Sequence, residues 1–536
     1  MDRLSEKIGR IVRHDYFLLA LIVLLAFSLR IYNLKSEPLI GDEIMSLGIV
    51  KHYQADVAGM IEYLQEVEIH PPLYYILLRA WTALFGFGAL AARSLSLIFG
   101  LAILPLVYYV GKRLFDSRNV GLLAAFFTAV LPMQIEYSRL ARPYMIFCFF
   151  GLLNIFFLWQ YLGSRKKKYL VYFTLAGLIG LYLHYSFMFI LAAGASYWFC
   201  RIMIDRSTLN TEIQRWLLTV GAIFIGFFWW FQYFLYKNML AGVTILGMKR
   251  SFSYFGFKGI NIFELIFSDL IWVDRSRQVI LPELILIILV KVLLAVLIIK
   301  LCVKFGNDVK KNNFFKNVIF LTWLLFSLVI FFILSPQAAG YADINERHII
   351  LGSIIFVLIL AGLYEYAQRR SLLIFYLIFI TSLLSFNMKL VNKKKFYGYD
   401  CRFEKIAGVV NENFRENDLV INYHGYRPMM NYFLKDGIRS VEIYPVRLLD
   451  WQNDPYASRD TLGLAENEIQ LRSDKSDGKA KEIKFDYLFS RYKPARTWMV
   501  IRDTSDQTLS DWLDNHGWAK DNQNKFGCGL ELFVKK

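Results

Sequence analysis

Runs of about 20 apolar residues recur along this 536-residue chain, separated by short clusters of Lys and Arg, and few folds are open to a chain so patterned. In hydrocarbon every backbone N–H and C=O needs an internal partner, so such runs fold as membrane-spanning helices. The apolar share of 56%, with a mean hydropathy of +0.39, exceeds the roughly 45–50% of soluble domains. A net charge of +17 would suit nucleic acid. The basic residues, however, fall in clusters between apolar runs, the distribution that fixes membrane topology, so a nucleic-acid partner is not expected.

The first span, residues 16–34, follows a basic stretch with Arg3, Lys7, Arg10 and Arg13. No small-x-small cleavage signal follows, so it reads as an uncleaved anchor with a cytoplasmic N-terminus. Leu4, Ile8, Ile11 and Val12 recur at helical spacing before it and predict a helix lying in the inner interface. Further spans are expected over 89–111, 119–138, 142–162, 169–187, 188–204, 216–236, 280–300, 317–335, 348–366 and 371–390, about eleven helices in all. Residues 72–86 are apolar, too short to span and carry Arg79. If they do not cross, Lys112-Arg113, Arg165 to Lys168, Arg201/Arg206/Arg215, Lys304/Lys310/Lys311 and Arg369-Arg370 share the side of the N-terminus; if they cross, all are exported. An interfacial or re-entrant helix is therefore expected there. The protein is expected to be multi-pass in the plasma (inner) membrane, with everything after Leu390 extracytoplasmic.

The transmembrane region is thus 1–390. Its first outer loop, 35–71, is expected to be structured, because Val57, Met60, Ile61 and Leu64 follow an i, i+3, i+4, i+7 pattern. A second outer segment, 237–279, carries Lys249, Arg250, Lys258, Asp269 and Asp274 among many aromatics, and reads either as a cover over a site or as a plain connection. Residues 391–536 change to a charged, soluble pattern. Strands are expected over Asp418–Tyr423, 441–444, 498–502 and 530–534, with helices over Phe403–Asn413, 429–434 and 509–516, giving a small α/β domain with a long polar loop at 452–484. That region has no phosphate-binding glycine motif and no nucleophile elbow, which leaves acceptor docking or stabilisation as its role. Cys148, Cys200 and Cys302 fall in apolar spans, while Cys401 and Cys528 pair if their region is outside.

Ionisable residues at span ends are the first place to look for chemistry in so apolar a chain. Three groups stand out: Gly41-Asp42-Glu43, His70-Pro71-Pro72-Leu73-Tyr74-Tyr75, and Glu136-Tyr137-Ser138-Arg139-Leu140-Ala141-Arg142-Pro143-Tyr144. The adjacent acids also suit the cap of a helix beginning near Ile44. The two prolines suit the first turn of a helix, while His70 adds an imidazole at the membrane face. Arg142 offers a guanidinium able to make two hydrogen bonds to a phosphate, and Arg139 is spaced to pair with Glu136. Asp343, Glu346, Arg347 and His348 form a further charged turn, where Arg347 either binds phosphate or snorkels to headgroups. His184, in Leu183-His184-Tyr185, reads as a packing histidine or a ligand. No His, Asp or Glu grouping has a spacing that demands metal.

In this order and spacing, together with Ala92-Arg93-Ser94-Leu95, these motifs resemble the family 39-type glycosyltransferases of the GT-C fold, which include protein O-mannosyltransferase-like enzymes and the lipid A aminoarabinose transferases. The resemblance covers roughly residues 16–390. It implies a polytopic α-helical enzyme that moves a sugar from a polyprenyl-phosphate donor to an acceptor hydroxyl on protein, glycolipid or polysaccharide at the outer face. Asp42 matches the family's acidic position and is expected, with Glu43 beside it, to be catalytic. His70, Arg142 and Arg347 are expected to receive the donor phosphate, supported by Glu136, Tyr74, His184 and Glu346. Related sequences often show Gln-Glu-Ala-Arg where this chain has Arg139-Leu140-Ala141-Arg142, so Glu136 is the acid available in its place. No cofactor is assigned, and a divalent metal stays open because some GT-C enzymes use one. A transporter or flippase of lipid-linked sugars would share the many spans and buried charges. Against it, the motifs gather at one face and no internal repeat is evident. A membrane scaffold displaying the C-terminal domain leaves the clustered acids and bases unexplained.

Overall fold

The computed structural model describes residues 2–35, 37, 39–66, 70–205, 209–240, 313–333 and 350–363, then 403–423, 432–435, 438, 440–443, 489, 493–500, 513–520 and 530–535. The protein is a multi-pass helical bundle carrying a small sheet. Among the described residues four helices are long and apolar enough to cross a membrane, or five if one bent pair counts as a span. The expected spans at 280–300 and 371–390, the segment from 241 to 279, the loop at 452–484, and Cys401, Cys528, Asp343, Glu346, Arg347 and His348 lie outside the described residues.

Helix α1 runs unbroken over Asp2–Ile31, so the basic stretch expected as a separate interfacial helix is the start of the same helix. Tyr16, Phe17 and Leu24 are exposed on one side of α1. Leu19 and Ala26 on the other pack against the next long hairpin, α5 (Ala89–Phe115) and α6 (Arg118–Val130). Ser117 caps α6 by accepting the Val120 N–H at 3.3 Å. The two helices approach closely at Gly121, where a Cβ would lie 2.6 Å from the Tyr108 carbonyl. Small residues permit such contacts, which matter most where hydrophobic driving force between helices is weak.

The first loop is folded, as its pattern predicted. Helices α2 (Gly41–His52) and α3 (Val57–Glu66) bury Leu47, Val50, Met60 and Leu64 against Tyr74, Tyr75 and Leu78 of α4 (Leu73–Phe85). At 13 residues α4 reaches only about 20 Å, short of the ~30 Å hydrocarbon core. Gly86, with φ +83°, turns the chain into α5, and the Trp81 indole N–H donates to Ala91 O at 2.9 Å.

The expected span 119–138 is broken. After α6 the chain bends by 62° at Leu131-Pro132 into α7 (Pro132–Ser138). Pro132 has no N–H for the carbonyl four residues back, Thr128 O, and its ring crowds that carbonyl. Arg30 supplies the missing donors. Its guanidinium, fully buried at the end of α1, donates to Thr128 O at 3.4 Å, Ala129 O at 2.8 Å and Ser138 Oγ at 3.2 Å. One cation thus satisfies the open end of α6 and holds the end of α7.

Beyond the turn at 139–143 come α8 (Tyr144–Ser164), α9 (Lys167–Leu183), α10 (Phe187–Ile204), α11 (Leu209–Leu240), α12 (Asn313–Ile333) and α13 (Leu351–Leu363). Nearly every residue of α13 is buried, as expected of a helix apolar all round at the bundle centre. At the bundle end away from the 139–143 turn, buried Glu212 accepts from Tyr161, Arg215, Trp198 and Arg165, a carboxylate with every lone pair engaged.

In the C-terminal region α14 (Phe403–Asn413) packs on a five-stranded sheet of order β2-β1-β3-β5-β4. The strands are β1 (Asp418–Tyr423), β2 (Ser440–Ile443), β3 (Arg496–Val500), β4 (Trp518–Lys520) and β5 (Leu530–Lys535). β1 runs parallel to β2 and β3, and β5 antiparallel to β3 and β4. The expected strands fall within two residues of their observed starts, while β4 was not anticipated. Ile44 of α2 is part of the core formed by Ile406, Val410, Val420, Trp498 and Leu532, so this region sits directly on the first loop.

Replacing Arg30 by Met is expected to lower stability in detergent by about 2–4 kcal/mol, because buried carbonyls lose their donors. Thermal unfolding followed by fluorescence measures it; a change no larger than that of an exposed substitution such as Tyr16→Phe refutes the capping role.

Candidate active site

α2 begins directly after Ile40, which places Asp42 and Glu43 in its first turn. Successive helical residues point about 100° apart, and here they part completely: Asp42 is exposed and Glu43 is 0% exposed. Glu43 Oε1 accepts from Arg93 Nε at 2.8 Å and from the Ala141 N–H at 2.8 Å. Its Oε2 accepts from Arg93 Nη2 at 2.7 Å and from the Ile40 N–H at 3.0 Å. The remaining Arg93 nitrogen, Nη1, donates to Leu34 O and Glu37 O, both at 2.9 Å. This bidentate pair joins the chain after α1, the start of α2, the first turn of α5 and the 139–143 turn. Arg139 adds an ion pair to Glu37, reaching across the fold in addition to the local spacing that suggested Glu136.

The turn so held presents Arg142, buried at 5% exposure. Nη1 donates to Ser46 Oγ at 2.7 Å and to Asp42 O at 3.3 Å, and Nη2 lies 3.3 Å from His70 Nε2. Ser46 is itself oriented by donating to Asp42 O at 2.9 Å. Among the described residues Nε has no hydrogen-bond partner, and neither does the buried Tyr74 hydroxyl. Burial works against the Arg142 charge, but Tyr144, Tyr75, Asp42 and Tyr74 more than offset it and hold the group above arginine's ordinary range. Arg142 is therefore a permanent cation with a donor to spare.

A guanidinium can only donate, so in this contact His70 Nε2 is the acceptor. His184, buried in the turn between α9 and α10, accepts at the other ring nitrogen. Its Nδ1 accepts the Ser186 N–H at 3.1 Å, which leaves the proton on Nε2. The two rings lie 5.4 Å apart, and Tyr144 is 5.9 Å from His184. Thus Asp42, His70, Tyr74, Arg142 and His184, drawn from four separate segments, converge at one end of the bundle. Glu136 is partly buried in α7, and Glu346 and Arg347 lie outside the described residues.

Arg93, Ser46 and Arg30 had no role assigned from the sequence. For Arg93 the signal was present: an arginine opening a span, with an acid in the loop before it. For Arg30 there was none locally, since the α6 carbonyls it caps lie 99 and 98 residues away and its one local carbonyl, Ala26 O, is an ordinary partner on its own helix. Among the described residues no group of three or more His, Cys, Asp or Glu side chains is arranged to hold a metal ion.

The fold is of the GT-C type. Residues 69–230 match the sequence profile of the dolichyl-phosphate-mannose-protein mannosyltransferases. The chain superposes on ArnT from Cupriavidus metallidurans in its apo state with a TM-score of 0.59, at 11% identity over 99% of this chain and 98% of that one. The undecaprenyl phosphate-bound ArnT gives 0.60, at 12% identity over 98% of each. The apo oligosaccharyltransferase of Archaeoglobus fulgidus gives 0.52, at 11% identity over 90% of this chain and 69% of that one. An uncharacterized protein of Aquifex aeolicus is 26% identical over 210 residues, which span 37% of this chain and 41% of that protein.

Glu43→Gln is expected to cost about 3–5 kcal/mol of stability, since it leaves buried Arg93 without a counter-charge. Asp42→Asn, one residue earlier and exposed, is expected to stay within about 0.5 kcal/mol. Thermal unfolding of the two variants side by side checks the contrast, and equal losses would refute this division.

Proposed function

We propose that this protein transfers a sugar from a polyprenyl-phosphate carrier to an acceptor hydroxyl at the extracytoplasmic membrane face, with inversion at the anomeric carbon. The observation that supports it most is the pairing of an exposed carboxylate, Asp42, with a buried permanent cation, Arg142, whose Nε has no partner among the described residues. Group transfer from a lipid phosphate needs this pair of charges, one to take a proton and one to meet the departing anion.

In the reaction the acceptor oxygen attacks C1 of the sugar as the bond from C1 to the phosphate oxygen breaks. Asp42 orients the acceptor hydroxyl and takes its proton. The electron pair of the broken bond leaves on the phosphate, which Arg142 receives with Nε, while His70 and the Nε2–H of His184 flank it. A single displacement inverts the anomeric centre. Tyr74 supplies a hydroxyl for the sugar or phosphate, and Arg347 adds a second cation in this reading. Glu43 is assigned a positioning role, because a carboxylate with four hydrogen bonds and no exposure cannot meet an acceptor. The sheet region, seated on the helix that carries Asp42, is suited to guiding a protein, glycolipid or polysaccharide acceptor.

The test uses the full-length protein in lipid nanodiscs with a panel of radiolabelled polyprenyl-phosphate sugars and candidate acceptors. Wild type should release free polyprenyl phosphate and label the acceptor. Asp42→Asn should reduce turnover about 10²–10⁴-fold with carrier binding nearly unchanged, whereas Arg142→Gln should weaken carrier binding itself. Movement of the sugar lipid across a vesicle membrane without bond cleavage would instead identify a flippase.

A further inference from the structure

We infer that His70 takes up a proton when the carrier phosphate binds, so that the leaving group is received by an imidazolium and released by its deprotonation. The inference rests on the reading of Arg142 as a phosphate ligand and goes beyond it. Its basis is the contact between Arg142 Nη2 and His70 Nε2 at 3.3 Å. Arginine has no acceptor, so this contact exists only while Nε2 carries no proton. A phosphate oxygen also accepts only. It cannot take the place of the guanidinium N–H at Nε2 unless that nitrogen gains a hydrogen, which in this proposal comes from solvent and not by transfer from Nδ1, a shift that would leave the proton count unchanged.

Binding therefore exchanges partners. The Nη2–H to Nε2 bond breaks, both nitrogens turn to the phosphate, and one proton enters from solvent to make Nε2–H. His184 does not need this step, because its Nδ1 is held as an acceptor by the Ser186 N–H and its Nε2 already bears hydrogen. The surrounding charges favour the exchange only when the anion is present. Arg142 opposes an imidazolium in the empty site, Asp42, which acts on the same guanidinium, favours it, and His184 beside the ring is a neutral dipole; Tyr74, Tyr75 and Tyr144 surround Arg142. Transfer turns a phosphodiester monoanion into a monoester dianion. The product thus carries one more negative charge than the donor, and a proton held at His70 matches that increment. The sugar-bearing carrier recruits the proton less strongly than the free carrier does.

Calorimetric titration of the full-length protein with undecaprenyl phosphate, in buffers of differing ionisation enthalpy, counts protons taken up on binding. Inorganic phosphate and undecaprenol in parallel arms separate headgroup from chain. At pH 8 wild type should absorb close to one proton, and its affinity should rise by up to about tenfold per unit as pH falls toward 7. His70→Gln keeps a neutral acceptor near Arg142 and should bind more weakly, with no uptake and a flat pH response. His70→Lys carries its own charge and should bind tightly without uptake. Thermal unfolding of both variants confirms that each is folded. Uptake that persists in His70→Gln, or that vanishes in His184→Gln instead, overturns the assignment. Binding with no uptake in wild type overturns it while leaving the carrier reading intact, and no binding at any pH overturns both.

Discussion

Four donors converge on the Glu43 carboxylate, and the geometry of the site depends on that convergence. Two come from Arg93, one from the backbone of the 139–143 turn and one from the residue preceding α2. Each segment belongs to a loop or a helix end, and such pieces have little packing of their own to fix them. A buried bidentate pair contributes little net stability over an apolar replacement, since desolvation offsets attraction. Its value lies in direction. The hydrogen bonds fix where Ala141 stands, hence where Arg142 points, and they fix the first turn of α2, hence where Asp42 emerges.

Adjacent acids therefore divide two tasks that one residue could not perform. A carboxylate that holds four donors is unavailable to an acceptor, and one that faces solvent cannot hold the loops. The cations divide in the same way. Arg93 and Arg30 are consumed by carboxylate and carbonyl partners, while Arg142 retains a free donor. What separates a purely structural charge from one open to a ligand is thus whether its hydrogen-bonding capacity is exhausted.

Much of this was legible in the sequence, for identifiable reasons. Among the described residues the positions of the long apolar helices followed from hydrophobic length, the bent 119–138 stretch apart, and α3 from the spacing of Val57, Met60, Ile61 and Leu64. The GT-C fold was readable from the order of short motifs, and the match across 69–230 agrees with it. The convergence of Asp42, His70 and Arg142 was anticipated from their placement at span ends. Two things were not readable. The bend at Pro132 was masked by continuous hydropathy on both sides, because composition does not register a missing N–H. That Asp42 and Glu43 point apart follows from their being successive residues of a helix, but that Arg93 is the partner that buries Glu43 is a fact held in the tertiary fold and not in the local sequence.

The pairing of Arg30 with the broken helix has a consequence for biosynthesis. Its acceptor at Ala129 emerges 99 residues later in the chain. At roughly 5–20 residues per second, synthesis leaves the guanidinium unmatched for on the order of 5–20 seconds. Through that interval α1 must rest with its charged end in the polar boundary of the bilayer, and it can settle to its final depth only when the later hairpin arrives beside it. Assembly of the bundle is thereby ordered in time: α1 is fully seated only after α6 and α7, which follow it in the chain.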